Sequence, residues 1–243
     1  MTKLILGDLD VFYLSYDEPN KEEHWADVLQ KFPFAKRVDG VKGFDNAHKE
    51  CARQSDTERF ITIDGDNIVD EKFFDIELTF PDDTDLANSV ISWSAKNVVN
   101  GLVYGNGGIK CWPVDLVLEM QTHENAVDET KKVDFCWDLN YIQMNNVYSM
   151  VFNAGSPFQA FRAGYREGVK MSLDEGKTVN PEEFKKNVER TLELFKKVKI
   201  EQDLDRLAQL SKEMLKTQQE MTETLKSEKP NTQEQKNSFE RLS

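Results

Sequence analysis

The sequence predicts an α/β fold: a mixed, mainly parallel sheet with flanking helices, followed by a long C-terminal helix or coiled coil. Two observations carry this. Over the first 75 residues, apolar and β-branched runs alternate with helical periodicity in the order β-α-β-α-β, an alternation that implies parallel strands joined by crossover helices. From Pro181 the texture changes to Lys, Glu and Gln, with apolar residues spaced alternately by three and four, as in a heptad seam.

The elements follow in order. Asp10-Val11-Phe12-Tyr13-Leu14-Ser15-Tyr16 reads as a buried strand, because its aromatic and branched residues run without a break. Asp17-Glu18-Pro19-Asn20 ends it, and Asn20 is placed to cap a helix through Trp25, Val28 and Leu29. Residues 35–41 read as a short strand ending at Asp39-Gly40. Residues 43–55 read as a helix with Ala47, Cys51 and Ala52 on one face. Phe60-Ile61-Thr62-Ile63 is a third apolar strand, followed at once by Asp64-Gly65-Asp66. Residues 73–80, 90–95 and 109–113 also read as strands, residues 115–120 as a short helix, and residues 124–132 as a polar loop. Gly105-Asn106-Gly107-Gly108 lacks the Lys-Ser/Thr of a phosphate loop. Its glycines imply a close backbone approach, either of an acceptor or within a plain hairpin turn.

Asn180, Pro181 and Glu183 form a helix-start pattern. Ile200, Leu204, Leu207, Met214, Met221 and Leu225 make the seam behind it, Ser211 and Gln218 fill its gaps, and Pro230 ends it. The chain therefore divides into a domain at 1–178, a helix or coiled coil at 179–226, and a tail at 227–243 too poor in apolar residues to order itself. The seam can fold back on the domain or pair with another copy, and a homo-oligomer through this helix is the favoured expectation.

Charge narrows the function. The net charge is -13, yet the stretch from Pro181 holds 13 basic and 13 acidic residues, so the whole excess lies in residues 1–180. Such a domain repels polyanions, which disfavours nucleic acid and anionic membranes and suits a divalent cation. Cys51, Cys111 and Cys136 are odd in number and form no CxxC pair, which argues against a disulfide framework and for a reducing compartment. Cys111 and Cys136 read as buried packing thiols. No run reaches membrane-spanning length, so a cytoplasmic location is expected.

Three acidic turns lie at predicted strand ends: Tyr16-Asp17-Glu18, Asp39, and Asp64-Gly65-Asp66. Ligands of open parallel sheets bind beyond those ends. Two carboxylates separated by one glycine can face one hard cation, which in turn bridges the two phosphates of a nucleotide-sugar. Such a triplet also marks ordinary surface turns; its place after the third strand singles it out. Arg162, Arg166 and Lys170 recur every four residues, either as a basic stripe facing a phosphate or as a solvated helix face.

Taken together, residues 10–75 resemble the nucleotide-binding half of GT-A glycosyltransferases, most nearly the large inverting family 2. Ser15-Tyr16-Asp17-Glu18 resembles that family's strand-one motif, Asp39-Gly40 its second-strand motif, residues 43–53 the helix before the metal motif, and Phe60 to Asp66 the strand ending in Asp-x-Asp. Tyr104 to Trp112 resembles the acceptor-side strand. Residues 10–175 are also similar to uncharacterised glycosyltransferase-like proteins of large tailed bacteriophages, including Asp134-Phe135-Cys136-Trp137-Asp138 and Ser156 to Arg162. Val38-Asp39-Gly40-Val41 departs from the family's Asp-Asp-Gly-Ser by one acid, and the family's Glu-Asp pair has no match.

The resemblance implies a metal-dependent transfer of a sugar from a nucleoside diphosphate donor to a hydroxyl acceptor. Tyr16, Asp17 and Asp39 would hold the nucleoside, and Lys42 and Asn46 would reach the diphosphate. Asp64 and Asp66 would carry manganese or magnesium. His123 would be a further ligand, or else an exposed loop histidine beside Glu124. Glu124, Asp134 and Asp138 are candidate bases. Asp138 is preferred because Cys136-Trp137 beside it supplies a dry wall that raises its pKa, though it can equally cap a helix. The acceptor classes are hydroxymethylated phage DNA, a surface glycan or a protein, and for a phage protein the setting would be the host cytoplasm. A nucleotidyltransferase would carry a Gly-rich, Arg/Lys-bearing loop after strand one, where Asp17-Glu18-Pro19-Asn20 stands instead. A non-catalytic structural protein, with a degenerate sugar-nucleotide domain and a coiled-coil assembly tail, is the remaining alternative.

Overall fold

The structure, a computed structural model, describes residues 1–105, 107–122, 139–174 and 177–227. It divides into two compact units, Met1–Phe195 and Lys196–Ser243. The elements of the first unit begin with β1 (Thr2–Ile5), β2 (Asp10–Ser15), α1 (Lys21–Lys31), β3 (Lys36–Asp39), α2 (Phe44–Gln54), β4 (Arg59–Asp64) and β5 (Asn67–Val69). They continue with β6 (Glu77–Phe80), β7 (Ser89–Asn97), β8 (Val103–Tyr104), β9 (Ile109–Pro113), α3 (Val114–Glu119) and β10 (Asn140–Val151). After these come α4 (Pro157–Met171), β11 (Leu173–Asp174), β12 (Lys177–Thr178) and α5 (Pro181–Ser227), whose later part belongs to the second unit.

The N-terminal β-α-β-α-β reading holds. β2 pairs in parallel with β3 on one side and β4 on the other. Side chains of a strand alternate between faces, and β2 shows the consequence. Val11 and Tyr13 join Ile61 and Ile63 of β4 in one buried layer, where α1 contributes Val28 and Trp25. Phe12 joins Phe60 and Val38 in the other layer, where α2 contributes Cys51 and Ala52. The Phe12 and Phe60 rings meet edge to face at 5.6 Å. The two crossover helices therefore cover opposite faces. Right-handed connections require this when the chain moves outward to β3 and then back past β2 to β4.

The expectation of a mainly parallel sheet is corrected. The main sheet runs in the order β3-β2-β4-β9-β7-β10-β5, with β8 beside β7. β9 is antiparallel to both β4 and β7, and β5 is antiparallel to β10; beyond the first three strands only β7 and β10 pair in parallel. The cause is the short return from β7 through β8 to β9, which has no room for a crossover helix. β1 and β6 form a separate antiparallel ribbon. Residues 73–80 are only partly a strand: Glu71–Asp75 is a 3-10 turn that buries Phe73 and Phe74, and β6 begins at Glu77.

Asn20 precedes α1 but does not cap it with its side chain; its amide points to His24 and to the Phe152 carbonyl. Asn180 does cap α5, its Oδ1 accepting the Glu183 N–H at 2.9 Å. Cys51 and Cys111 are buried free thiols, and Cys136 lies outside the described residues. No described helix is long and apolar enough to cross a membrane.

Candidate functional site

The parallel pairing of β2 with β4 places Leu14 opposite Asp64. The segments leaving the two strands, Tyr16-Asp17-Glu18 and Gly65-Asp66, therefore emerge side by side. The chain connections diverge at β2, so this rim is the point where an open sheet leaves a crevice between its loops.

The Asp64-Gly65-Asp66 backbone is fastened at every residue. The Asp64 N–H donates to the Gly108 carbonyl at 2.9 Å, and the Asp66 carbonyl accepts the Phe152 N–H at 2.7 Å. The Gly65 carbonyl lies 2.7 Å from the Tyr13 hydroxyl and 3.1 Å from His24 Nδ1. A carbonyl only accepts, so His24 carries its proton on Nδ1 and its Nε2 accepts from the Asn20 amide at 3.1 Å. Burial and the Glu18 charge push the Tyr13 pKa far up, which keeps its hydroxyl a donor. A Cβ on Gly65 would sit 2.8 Å from Glu18 Oε2 and 3.1 Å from Ser15 Cβ, so the glycine is what admits the Glu18 carboxylate. Glu18 Oε2 is itself held by the Tyr16 N–H at 2.7 Å.

The charges of Asp64, Asp66 and Glu18 thus act on one another. The Asp66 pKa is pushed up to about 7, first by burial and then by the Asp64 and Glu18 charges; the Asn67 amide, 2.8 Å from Oδ1, pulls the other way. Asp64 is also raised, again chiefly by burial and by Glu18, while Lys110 and Arg166 oppose the shift. Lys110 is buried in β9, its Nζ donating to the Gly107 carbonyl at 2.7 Å.

Beside this cluster opens a cleft of about 130 Å³. Asp17, Glu18 and Asp66 give it an acidic wall, and Gln159, Arg162 and Arg166, from α4, give it a basic one; Asp64 does not line it. The walls touch at their exposed edge, where Arg162 lies 3.5 Å from Asp17. A carboxylate wall beside an arginine wall suits a ligand that brings a cation to one side and phosphate oxygens to the other.

The other sequence-predicted residues fall as follows. Tyr16 is 46% exposed and accepts at its carbonyl from Lys21 Nζ at 2.8 Å. Asp39 ends β3 one strand away from the cleft. Its Oδ1 accepts from Ser15 Oγ and Lys21 Nζ, both at 2.7 Å. Burial pushes the Asp39 carboxyl up, but those two bonds and the Arg37 charge outweigh it and hold it below its ordinary value. Lys42 and Asn46 are exposed around the start of α2, where the Asn46 amide donates to the Lys42 carbonyl at 3.3 Å; neither lines the cleft. His123, Glu124, Asp134 and Asp138 lie outside the described residues.

Among the described residues, no three His, Cys, Asp or Glu side chains are grouped as a ready-made metal site. The donors present do suit one kind of ion. Magnesium-like cations take one or two carboxylates and complete their shell with water and substrate phosphates. Burial raises Asp64 and Asp66 first and neighbouring carboxylate charge adds to it; a cation would offset that added repulsion.

The glycine-rich loop before β9 approaches the protein itself. A Cβ on Gly107 would sit 2.6 Å from the Trp93 carbonyl oxygen and from Ala95 Cβ, and one on Gly108 would sit 2.1 Å from Asn67 Nδ2. The idea that these glycines admit an acceptor is replaced by close packing on β7 and on the Asn67 amide that serves Asp66.

The sequence placed Glu18 only within an acidic turn, left the arginines open between a phosphate-facing stripe and a solvated face, and gave Lys110 no role. The pair had a signal, since positions four apart share a helical face. So had Lys110, a lone charge between Ile109 and Cys111 in an apolar strand.

No protein-family model and no curated protein matches this chain. Two solved structures of HddC from Yersinia pseudotuberculosis are distantly similar. One aligns at a TM-score of 0.31 and 12% identity over 66% of this chain and 80% of that one. The other, complexed with GMP-PN, aligns at a TM-score of 0.34 and 13% identity over 65% of this chain and 99% of that one. A likeness of that size fixes neither a fold family nor a function.

Proposed function

We propose that the chain is a metal-dependent glycosyltransferase of the GT-A type, binding a nucleoside diphosphate sugar at the Asp64-Gly65-Asp66 turn. The supporting observation is the fastened turn itself. It buries Asp66 beside Asp64 and Glu18, so that Asp66 rises to about 7, and Asp66 and Glu18 share the cleft with Arg162 and Arg166.

Asp64 and Asp66 would hold manganese or magnesium. When bound, the ion neutralises charge developing on the departing diphosphate. Arg162 and Arg166 take the outer phosphate oxygens, a task suited to the forked guanidinium donors. The nucleoside lies along the rim past Asp17 and Tyr16 toward Asp39. Lys110 offsets part of the acidic charge around Asp64, whose carboxyl burial still holds above its ordinary value. Glu18 packs on Gly65 and holds the Tyr16 loop by its N–H, which fixes the two strand ends relative to each other. Asp138 or Glu124 removes the acceptor proton, and His123 adds a ligand. The acceptor is a hydroxyl of a glycan, a protein or modified DNA.

A thermal-shift screen tests the reading. Uridine or guanosine diphosphate should raise the melting temperature only with manganese present, because a ligand specific to the native state stabilises it. Asp64→Ala with Asp66→Ala should abolish the shift; a shift surviving both substitutions removes the role of the turn. Hydrolysis of a nucleotide-sugar then separates an enzyme from a binding domain without turnover.

A further inference from the structure

We infer that the second unit is a dimerisation element, and that a second copy of this chain covers its seam in a parallel, in-register coiled coil. The inference does not rest on the function proposed above. The described residues of this unit, Lys196 to Ser227, form one helix and nothing else. At 1.5 Å per residue that helix is about 48 Å long. Ile200, Leu204, Leu207 and Met214 are 59%, 60%, 59% and 72% exposed, and Leu210 and Leu215 beside them are 46% and 58% exposed. Protein helices owe most of their stability to packing of an apolar face. Here that face stands in water along several turns.

The repeat says what kind of surface fits. The steps of four, three and four place Leu204 and Ser211 at a, and Ile200, Leu207 and Met214 at d. A stripe repeating every 3.5 residues is matched along its length only by a helix with the same repeat.

The flanking positions match the chain to itself. In a parallel pair each g residue meets the e residue five positions on in the other helix. Lys196 then meets Glu201, Asp203 meets Ala208, and Leu210 meets Leu215. Of these flanking pairs one is of opposite charge, one extends the apolar seam and none joins like charges; Lys197, which falls at a, marks where the seam begins. The balance of 13 basic and 13 acidic residues from Pro181 onward lets two such helices approach, whereas an acidic partner would meet the excess charge of residues 1–180.

Sedimentation equilibrium of the full chain at micromolar concentration tests this. The wild type should have the dimer mass, and the double substitution Leu204→Lys, Leu207→Lys should have the monomer mass. Near-ultraviolet circular dichroism should stay unchanged in that variant, since the first unit holds the tryptophans. Gln209→Lys, on the outward face, should remain dimeric. Leu207→Cys should cross-link to itself on mild oxidation and Gln209→Cys should not. A monomeric wild type, or a dimer that survives both lysines, overturns the inference. A dimer in which Leu207→Cys does not cross-link overturns the parallel register.

Discussion

Asp39 ends β3 and Asp66 lies two residues past the end of β4, the two strands that flank β2, yet their surroundings push them in opposite directions. Asp39 has a hydroxyl and an ammonium at 2.7 Å on one oxygen, and its carboxyl sits below its ordinary value. Asp66 is buried, has carboxylates for neighbours and receives the Asn67 amide at 2.8 Å, and it rises to about 7. The first acid is complete within the fold. The second is stabilised only by something added, a proton or a cation. The contrast separates an acid satisfied within the fold from one that is not, a distinction that residue type alone does not make.

The contrast breaks most completely at Asp66. Asp66→Asn should weaken manganese-dependent nucleoside diphosphate binding by about 100-fold or more, as expected for loss of a charged ligand to a cation. Isothermal titration would read it.

The same residue sets a pH slope. A carboxyl raised in the folded state favours folding while protonated, so its contribution is fully present below the unfolded value near 4 and is lost as pH rises through about 7. Without metal, the melting temperature should fall between pH 5 and pH 8 relative to Asp66→Asn, by roughly 2–4 °C per kcal/mol. Manganese should reverse the fall. Asp39, held low, works in the opposite sense: its contribution is present above the unfolded value and is lost only as pH falls through its lowered folded value.

Smaller effects sharpen the comparison. Gly65→Ala should force Glu18 off the turn, costing about 1–2 kcal/mol in chemical denaturation and weakening metal binding. Gly108→Ala should displace the Asn67 amide from Asp66, raising the Asp66 pKa further in carboxyl NMR titration. Lys21→Met removes a partner from Asp39 at a partly exposed pair, and should cost about 0.5–1 kcal/mol with little effect on metal affinity.

The parts of this design visible in the sequence were the local ones. The strands at β2 and β4 announce themselves by unbroken apolar runs, and the short β3 by the Asp39-Gly40 turn that ends it. The helix at α2 does so by the spacing of Ala47, Cys51 and Ala52, and the start of α5 by Asn180 and Pro181. The acidic turn was legible because it follows directly on an apolar strand. What stayed hidden depends on distant partners. β10 finds β7 about fifty residues away, with irregularities in register that blur its alternation. Phe73-Phe74 looks like a strand because an apolar pair packs as well in a buried turn. Asn20 looks like a cap, but its amide is drawn to Phe152, 132 residues on. The face that Arg162 and Arg166 present, and the depth at which Lys110 lies, follow only from the packing of β10, α4 and β9.

The anchoring of Gly65 by Tyr13 and His24 has a kinetic meaning. A recognition loop that must first take shape lets its guest in slowly and surrenders conformational freedom when it does. Here the socket is cast in advance, so the nucleotide capture proposed above should proceed at the pace of encounter, and Tyr13→Phe, which leaves only His24 on the carbonyl, should slow arrival more than it hastens departure.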